Sequence, residues 1–267
     1  MVCCSGGVSV AVGGALYALT DRSSDDHPVH LEAMSWRADA DAVPHCHRPT
    51  TTERCGGWSW KAMPPPPPEF RSAVSSYALH PDGRTIFMTT ATNRSTIPGF
   101  SNPLGTYSFN TEESKWRWHG EWALPFDGQA HFDADLDAWV GLARIKGGHI
   151  CCCRPVSPTY YNERAPTVFL PDFKTTKEKL FGKHPQRGHM GACLTYMHGR
   201  GGRFCLVECM SSKKPASGDD DGFLLHVTVF GLKYDRKGEL QTTRRQSTRS
   251  FSVPRHSYLF SPFAFWM

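Results

Sequence analysis

From Val8 to Leu19 apolar side chains alternate with small or polar ones, and a Gly13-Gly14 pair interrupts the run. A period of two marks a half-buried strand, and paired glycines supply the positive φ of a tight turn, so a hairpin is predicted here. His30–Trp36 reads as a third strand and Trp58–Met63 as a fourth, with a polar, turn-rich loop from Ala38 to Gly57 between them. Five prolines, Pro64–Pro68, follow. Proline has no N–H to give to a ladder, so this run closes the unit.

The layout then repeats. Ser75–Leu79 and Arg84–Thr90 flank the turn His80-Pro-Asp-Gly83, and Gly105–Asn110 and Lys115–His119 follow a loop from Thr92 to Pro103. A third unit places strands at Gln129–Phe132, Ala138–Ala143 and His149–Cys153 before an irregular, proline-rich stretch from Arg154 to Pro171. Phe173–Gly182 fits either a short helix or a strand plus loop. The fourth unit has Ala192–Tyr196, Arg203–Cys209, a long strand Phe223–Phe230 and a return over Leu240–Ser250. The apolar end, Tyr258–Met267, is expected to dock in the core. Four-stranded units recurring every 55–60 residues or so are the pattern of β-propeller blades, lengthened here by loops. The expected architecture is a single all-β domain of about four units, 8–68, 73–125, 129–171 and 189–267, forming an incomplete or open ring, since closed rings have about four to eight blades. The aromatics Trp58, Trp60, Trp116, Trp118 and Trp139 are expected to pack blade on blade.

Composition sharpens this in three places. With 39% hydrophobic residues against 21% charged, the 267-residue chain folds rather than staying disordered. The net charge of +5 permits acidic partners without demanding nucleic acid. The ten cysteines do not read as a disulfide framework: Cys151, Cys152 and Cys153 are consecutive, and Cys193, Cys205 and Cys209 lie in apolar strands. Reduced, buried thiols in a cytoplasmic or nuclear protein are expected. The apolar run Val8–Leu19 lacks a basic leader and is too short to span a bilayer, so neither a signal peptide nor membrane association is expected.

Tyr77–Phe87, Gly105–Trp116, Trp122–Phe126, Asp135–Leu142, Gly191–Tyr196, Phe204–Glu208 and Phe260–Met267 resemble a grass-expanded plant family of unknown function, the DUF1618-type proteins. That resemblance implies kelch-like β-propeller blades akin to F-box-associated domains, and an N-terminally shortened member of the family. It carries no activity to transfer.

Candidate chemistry is sparse. His45, Cys46, His47 and Cys55 are four zinc-compatible ligands, but adjacent residues rarely turn to one metal and the spacing fits no common finger, so a solvated loop is the expected reading. Along a strand Cys151 and Cys153 face one way and Cys152 the other, which suits packing. Asp133, Asp135 and Asp137 beside His131 could in principle serve glycoside hydrolysis. Aspartate also favours turns, and Asp135 sits where a hairpin turn belongs. The basic stretch Lys233–Arg255, with Arg236, Lys237, Arg244, Arg245 and Arg249, is interrupted by Asp235 and Glu239. Phosphate contact would need clustered cations, so nucleic acid is not the expected partner.

No catalytic residues and no cofactor are therefore assigned. The expected function is a protein-interaction module, an adaptor or substrate receptor, with recognition on the loops Ala38–Gly57, Thr92–Pro103, Arg154–Pro171 and Ser211–Gly222. The alternatives are a propeller enzyme of the glycoside-hydrolase type and a shortened paralogue with little function. The partner protein and the oligomeric state are left open.

Overall fold

The structure, a computed structural model, describes residues 8–20, 29–38, 56–70, 73–92, 102–159, 171–182, 188–197, 202–211, 222–243 and 248–254. These residues form seventeen β-strands and no helix. The first four, β1 (Val8–Val12), β2 (Ala15–Thr20), β3 (His30–Ala38) and β4 (Gly56–Ala62), make a sheet in chain order. The hairpin turns at Gly13 and Gly14, both at positive φ with open space around them.

The second and third meanders share one eight-stranded sheet. It holds β5 (Val74–Leu79), β6 (Thr85–Thr92), β7 (Asn102–Asn110) and β8 (Lys115–Gly120), then β9 (Phe126–Asp133), β10 (Ala138–Ala143), β11 (Ile150–Cys153) and β12 (Phe173–Thr175). The two halves meet where β5 and β9 run parallel, with Ser76, Tyr77 and Ala78 opposite Gly128, Gln129 and Ala130. All other pairings in this sheet are antiparallel. A last sheet contains β13 (His189–Met197), β14 (Arg203–Ser211), β15 (Gly222–Tyr234), β16 (Leu240–Thr243) and β17 (Arg249–Pro254). Both β16 and β17 pair with β15, so the single return expected over Leu240–Ser250 is two strands.

One boundary differs from the sequence reading, and at Phe173–Gly182 the strand-plus-loop alternative is the one that forms. The stretch Phe173–Gly182 holds no helix. Phe173–Thr175 is instead the edge strand beside β11, and the third meander runs from Phe126 to Thr175. Proline and loop chemistry in the preceding segment hid it, since a three-residue strand has too few positions to show a period. The apolar end at Tyr258–Met267 lies outside the described residues.

Three hydrophobic cores lie between consecutive meanders, and alternation divides the side chains of the two interior meanders between two of them. Val8, Val10, Tyr17, Leu19 and Leu31 of the first meander meet Tyr77, Ile86, Met88, Tyr107 and Phe109 of the second. The opposite face of the second, with Ala78, Phe87, Trp122 and Leu124, meets Phe126, Ala130, Trp139, Cys151 and Cys153 of the third. The third meander's other face, with Val140, Leu142, Ile150 and Cys152, meets Leu194, Phe204, Leu206 and Phe230 of the fourth. Burying each such Phe, Leu or Ile stabilises by about 1.5–3 kcal/mol. The cysteine triplet is thus divided, Cys151 and Cys153 into one core and Cys152 into the next.

Candidate functional site

Each core is closed by polar contacts that decide which side chains are free for function. Trp139 is fully buried against Phe87 and His80 and donates its indole N–H to the Leu79 carbonyl at 2.8 Å. Trp116 packs at the edge of the first core, stacks near Phe70 and Phe109, and donates to the Pro64 carbonyl at 2.9 Å. The start of the proline run is therefore tied to Trp116 of the second meander.

The remaining tryptophans named from sequence behave differently. Trp58 and Trp60 are 61% and 53% exposed, and Trp118 is also exposed. Trp58 lies opposite Trp36 across β3 and β4, with ring centroids 5.6 Å apart and edge to face, and Trp60 lies opposite Met34. Leu31 and Ala33 point into the first core, so alternation puts Met34 and Trp36 on the other face of the sheet. That face carries three tryptophans, each more than half exposed, Trp36 at 55%. The sequence period shows which residues share a face but not whether a neighbouring sheet covers it.

The aspartate cluster does not converge. Asp133 is buried and its Oδ1 accepts the N–H groups of Asp135 and Leu136 at 2.9 and 3.0 Å, which caps the β9–β10 turn. Burial pushes its carboxyl above the ordinary value, against those two hydrogen bonds. Gly202 leaves room for its other oxygen, because a Cβ there would stand 2.5 Å from Oδ2. Asp135 and Asp137 are exposed turn residues, Asp137 at a φ of 49°. His131 donates through Nε2 to the Leu194 carbonyl at 2.9 Å. These groups hold a turn and a seam rather than flank a substrate.

The cysteines are equally occupied. Burial drives the Cys151 and Cys153 thiols well up, with the neighbouring cysteines adding to it. Cys151 donates to the Pro125 carbonyl at 3.4 Å, and Cys152 lies 3.4 Å from the Tyr234 hydroxyl. His45, Cys46, His47 and Cys55 lie outside the described residues, and no group of potential metal ligands occurs among the described ones. No helix of the described residues is long and apolar enough to cross a membrane.

A second surface feature was not visible as a motif. At the seam between the third and fourth meanders, the β10–β11 turn, β12 and the β15–β16 turn surround a cleft of about 440 Å3. Its lining includes Lys146, Lys174, Lys177 and Lys237, against one carboxylate, Glu239. Of the basic residues singled out from Lys233 to Arg255, only Lys237 lines it. Arg236 and Arg249 are exposed elsewhere, and Arg244 and Arg245 are outside the described residues.

The seams, the tryptophan face and the basic cleft belong to a chain whose residues 4–251 match the family model of a protein of unknown function, DUF1668. The chain belongs to the DUF1668 family. This corrects the resemblance drawn from sequence: the matching family is not DUF1618, and no kelch or F-box family is matched. Two of the quoted segments, Gly105–Trp116 and Asp135–Leu142, are turn and strand pieces ending in a tryptophan-bearing strand, a pattern any four-stranded meander can share. A search of curated proteins finds no match.

Proposed function

We propose that this DUF1668 chain is a protein-interaction module whose four meanders are propeller-like blades. The arrangement supports blades because the first strands are the ones that meet: β5 pairs with β9, and β1 and β13 contact β5 and β9. Each core lies between neighbouring meanders, as stacked blades require. The tryptophan face carries the binding reading. Contiguous exposed aromatics are uncommon on a surface that meets only water, and tryptophan is enriched where interfaces concentrate their energy. The rigid sheet beneath Trp36, Trp58 and Trp60 presents them at little entropic cost.

The test is affinity capture with the full chain and with Trp58→Ser/Trp60→Ser. Both side chains are exposed, so stability should stay within about 0.5 kcal/mol. At least one captured protein should be lost from the variant, and purified partner should bind it more weakly. If the variant and chains with each of the four long loops shortened all retain every partner, the interaction reading is wrong.

A further inference from the structure

We infer that the cleft at the third seam binds a small ligand carrying two or more phosphate groups. The residues that make it come from two separate turns, an edge strand and the chain that follows it, and they bring four lysines to one concavity. Lys146 enters from the β10–β11 turn, Lys174 and Lys177 from β12 and the chain after it, and Lys237 from the β15–β16 turn. Like charges repel, so such a gathering is favourable when an anion neutralises it.

The internal partners neutralise it only in part. Lys177 is paired with Glu239 at the rim. Lys174 is positioned by the neutral Gly238 carbonyl at 2.6 Å and lies over the Tyr234 ring at 4.9 Å. Neither partner of Lys174 carries charge. Among the described residues Lys146 and Lys237 make no ion pair. The nearby Asp235 carboxylate offsets part of the charge. Its Oδ1 accepts the N–H groups of Glu239 and Lys237, which hold its titration down with help from Lys177 and Lys174, and its Oδ2 accepts from Gln241. The same acid folds the turn that presents Lys237, and Asp235 and Glu239 together set two carboxylates against the four lysines.

The edge strand adds a second kind of donor. Thr176 gives its N–H to the Ile150 carbonyl, toward β11. Alternation along an antiparallel strand therefore turns the Thr175 N–H outward from the sheet, on the side of the cleft. Ammonium groups and an outward backbone N–H together suit phosphoryl oxygens. The volume is that of a small-molecule site. A mononucleotide-sized or smaller polyphosphate fits that space, whereas a nucleic-acid strand needs a continuous basic track.

Tripolyphosphate is the probe, titrated calorimetrically into the full chain at low ionic strength, with orthophosphate and a single-stranded oligonucleotide as comparisons. Saturable one-to-one binding is expected, tighter than orthophosphate by about tenfold or more, the worth of one further charge-assisted contact. Lys146→Ala/Lys237→Ala should weaken it by about tenfold or more while circular dichroism and the unfolding midpoint stay unchanged, since both side chains are exposed. Lys115→Ala/Lys233→Ala, which removes equal charge elsewhere, should leave it intact. No binding, equal loss in both double variants, or tighter binding of the oligonucleotide than of tripolyphosphate would each overturn the inference.

Discussion

Thr89→Val tests the physical account of the second seam most sharply. Four groups there form one directed chain. The Leu124 N–H donates to Thr89 Oγ1 at 3.0 Å, and the Thr106 hydroxyl donates to the Trp122 carbonyl at 2.7 Å. The two hydroxyls are 2.9 Å apart, and only the Thr89 O–H remains to donate between them. All four residues are buried, and Trp122 and Leu124 belong to the segment that leaves β8 for β9. Valine keeps the shape of threonine but strands the Leu124 N–H and removes a donor from Thr106. An orphaned buried donor costs about 1–3 kcal/mol, and the lost hydroxyl pair adds about 0.5–1.5 kcal/mol. The extra methyl offsets up to about 1 kcal/mol, leaving a net loss of about 0.5–4.5 kcal/mol. Thr106→Val should cost a similar amount by stranding the Trp122 carbonyl. The double variant removes both hydroxyls together, so its loss should fall short of the sum by about 0.5 kcal/mol or more. Urea unfolding followed by tryptophan fluorescence reads this as a lower midpoint at unchanged slope. A Thr89→Val midpoint equal to wild type, or strict additivity in the cycle, would refute the relay.

Three further outcomes follow from the buried titratable groups. Glu208 is held below its ordinary range: burial opposes ionisation, but the hydrogen bonds from His189 and the Gly182 N–H at 2.6 Å prevail, with His226 adding a smaller pull. A depressed folded value contributes stability above the unfolded value and loses it as pH falls through the folded one. Glu208→Gln should therefore flatten the acid limb of a midpoint-against-pH curve, and an unchanged limb would count against it. Asp133 is the opposite case, raised by burial, so its ionised form costs stability as pH rises past the ordinary carboxylate range. Asp133→Asn keeps an oxygen for the two turn N–H groups and should be as stable as wild type or more so at neutral pH, whereas Asp133→Ala should lose about 1–2 kcal/mol in the same denaturation assay. Because burial raises the Cys151 and Cys153 thiols, a thiolate-directed reagent should label them only under unfolding conditions; rapid labelling of the native chain, located by peptide mass spectrometry, would contradict the packing.

Much of the strand layout was legible because alternation survives wherever one face of a strand is buried. Val8–Leu19, Arg84–Thr90 and Ala138–Ala143 all read correctly for that reason. The split of Cys151–Cys153 between two faces followed from the same period. What alternation cannot convey is the identity of the neighbour on each face. Trp58, Trp60 and Trp139 look alike in sequence, yet Trp139 has the second meander against it, whereas Trp58 and Trp60 are more than half exposed beside Trp36 and Met34. The basic cleft was hidden for a related reason: Lys146, Lys174 and Lys237 are distant along the chain and ordinary one by one. The search for clustered basic residues between Lys233 and Arg255 found just one of them. Length limited the rest, as at β12, where three residues are too few to carry a signal.

The three cores between the meanders make each of the two interior meanders a party wall. A strand such as β11 serves two rooms at once, so one enlarged or truncated side chain there changes one room, while a shift of its backbone is felt in both. Repair by local repacking is correspondingly restricted, because relief given to one side is taken from the other. The outer sheets have a spare side, and for the first meander it is the side that carries the tryptophans. Substitutions should therefore be tolerated most freely on that outward side of the first sheet and least freely along β6, β10 and β11, whatever the chemistry of the residues concerned.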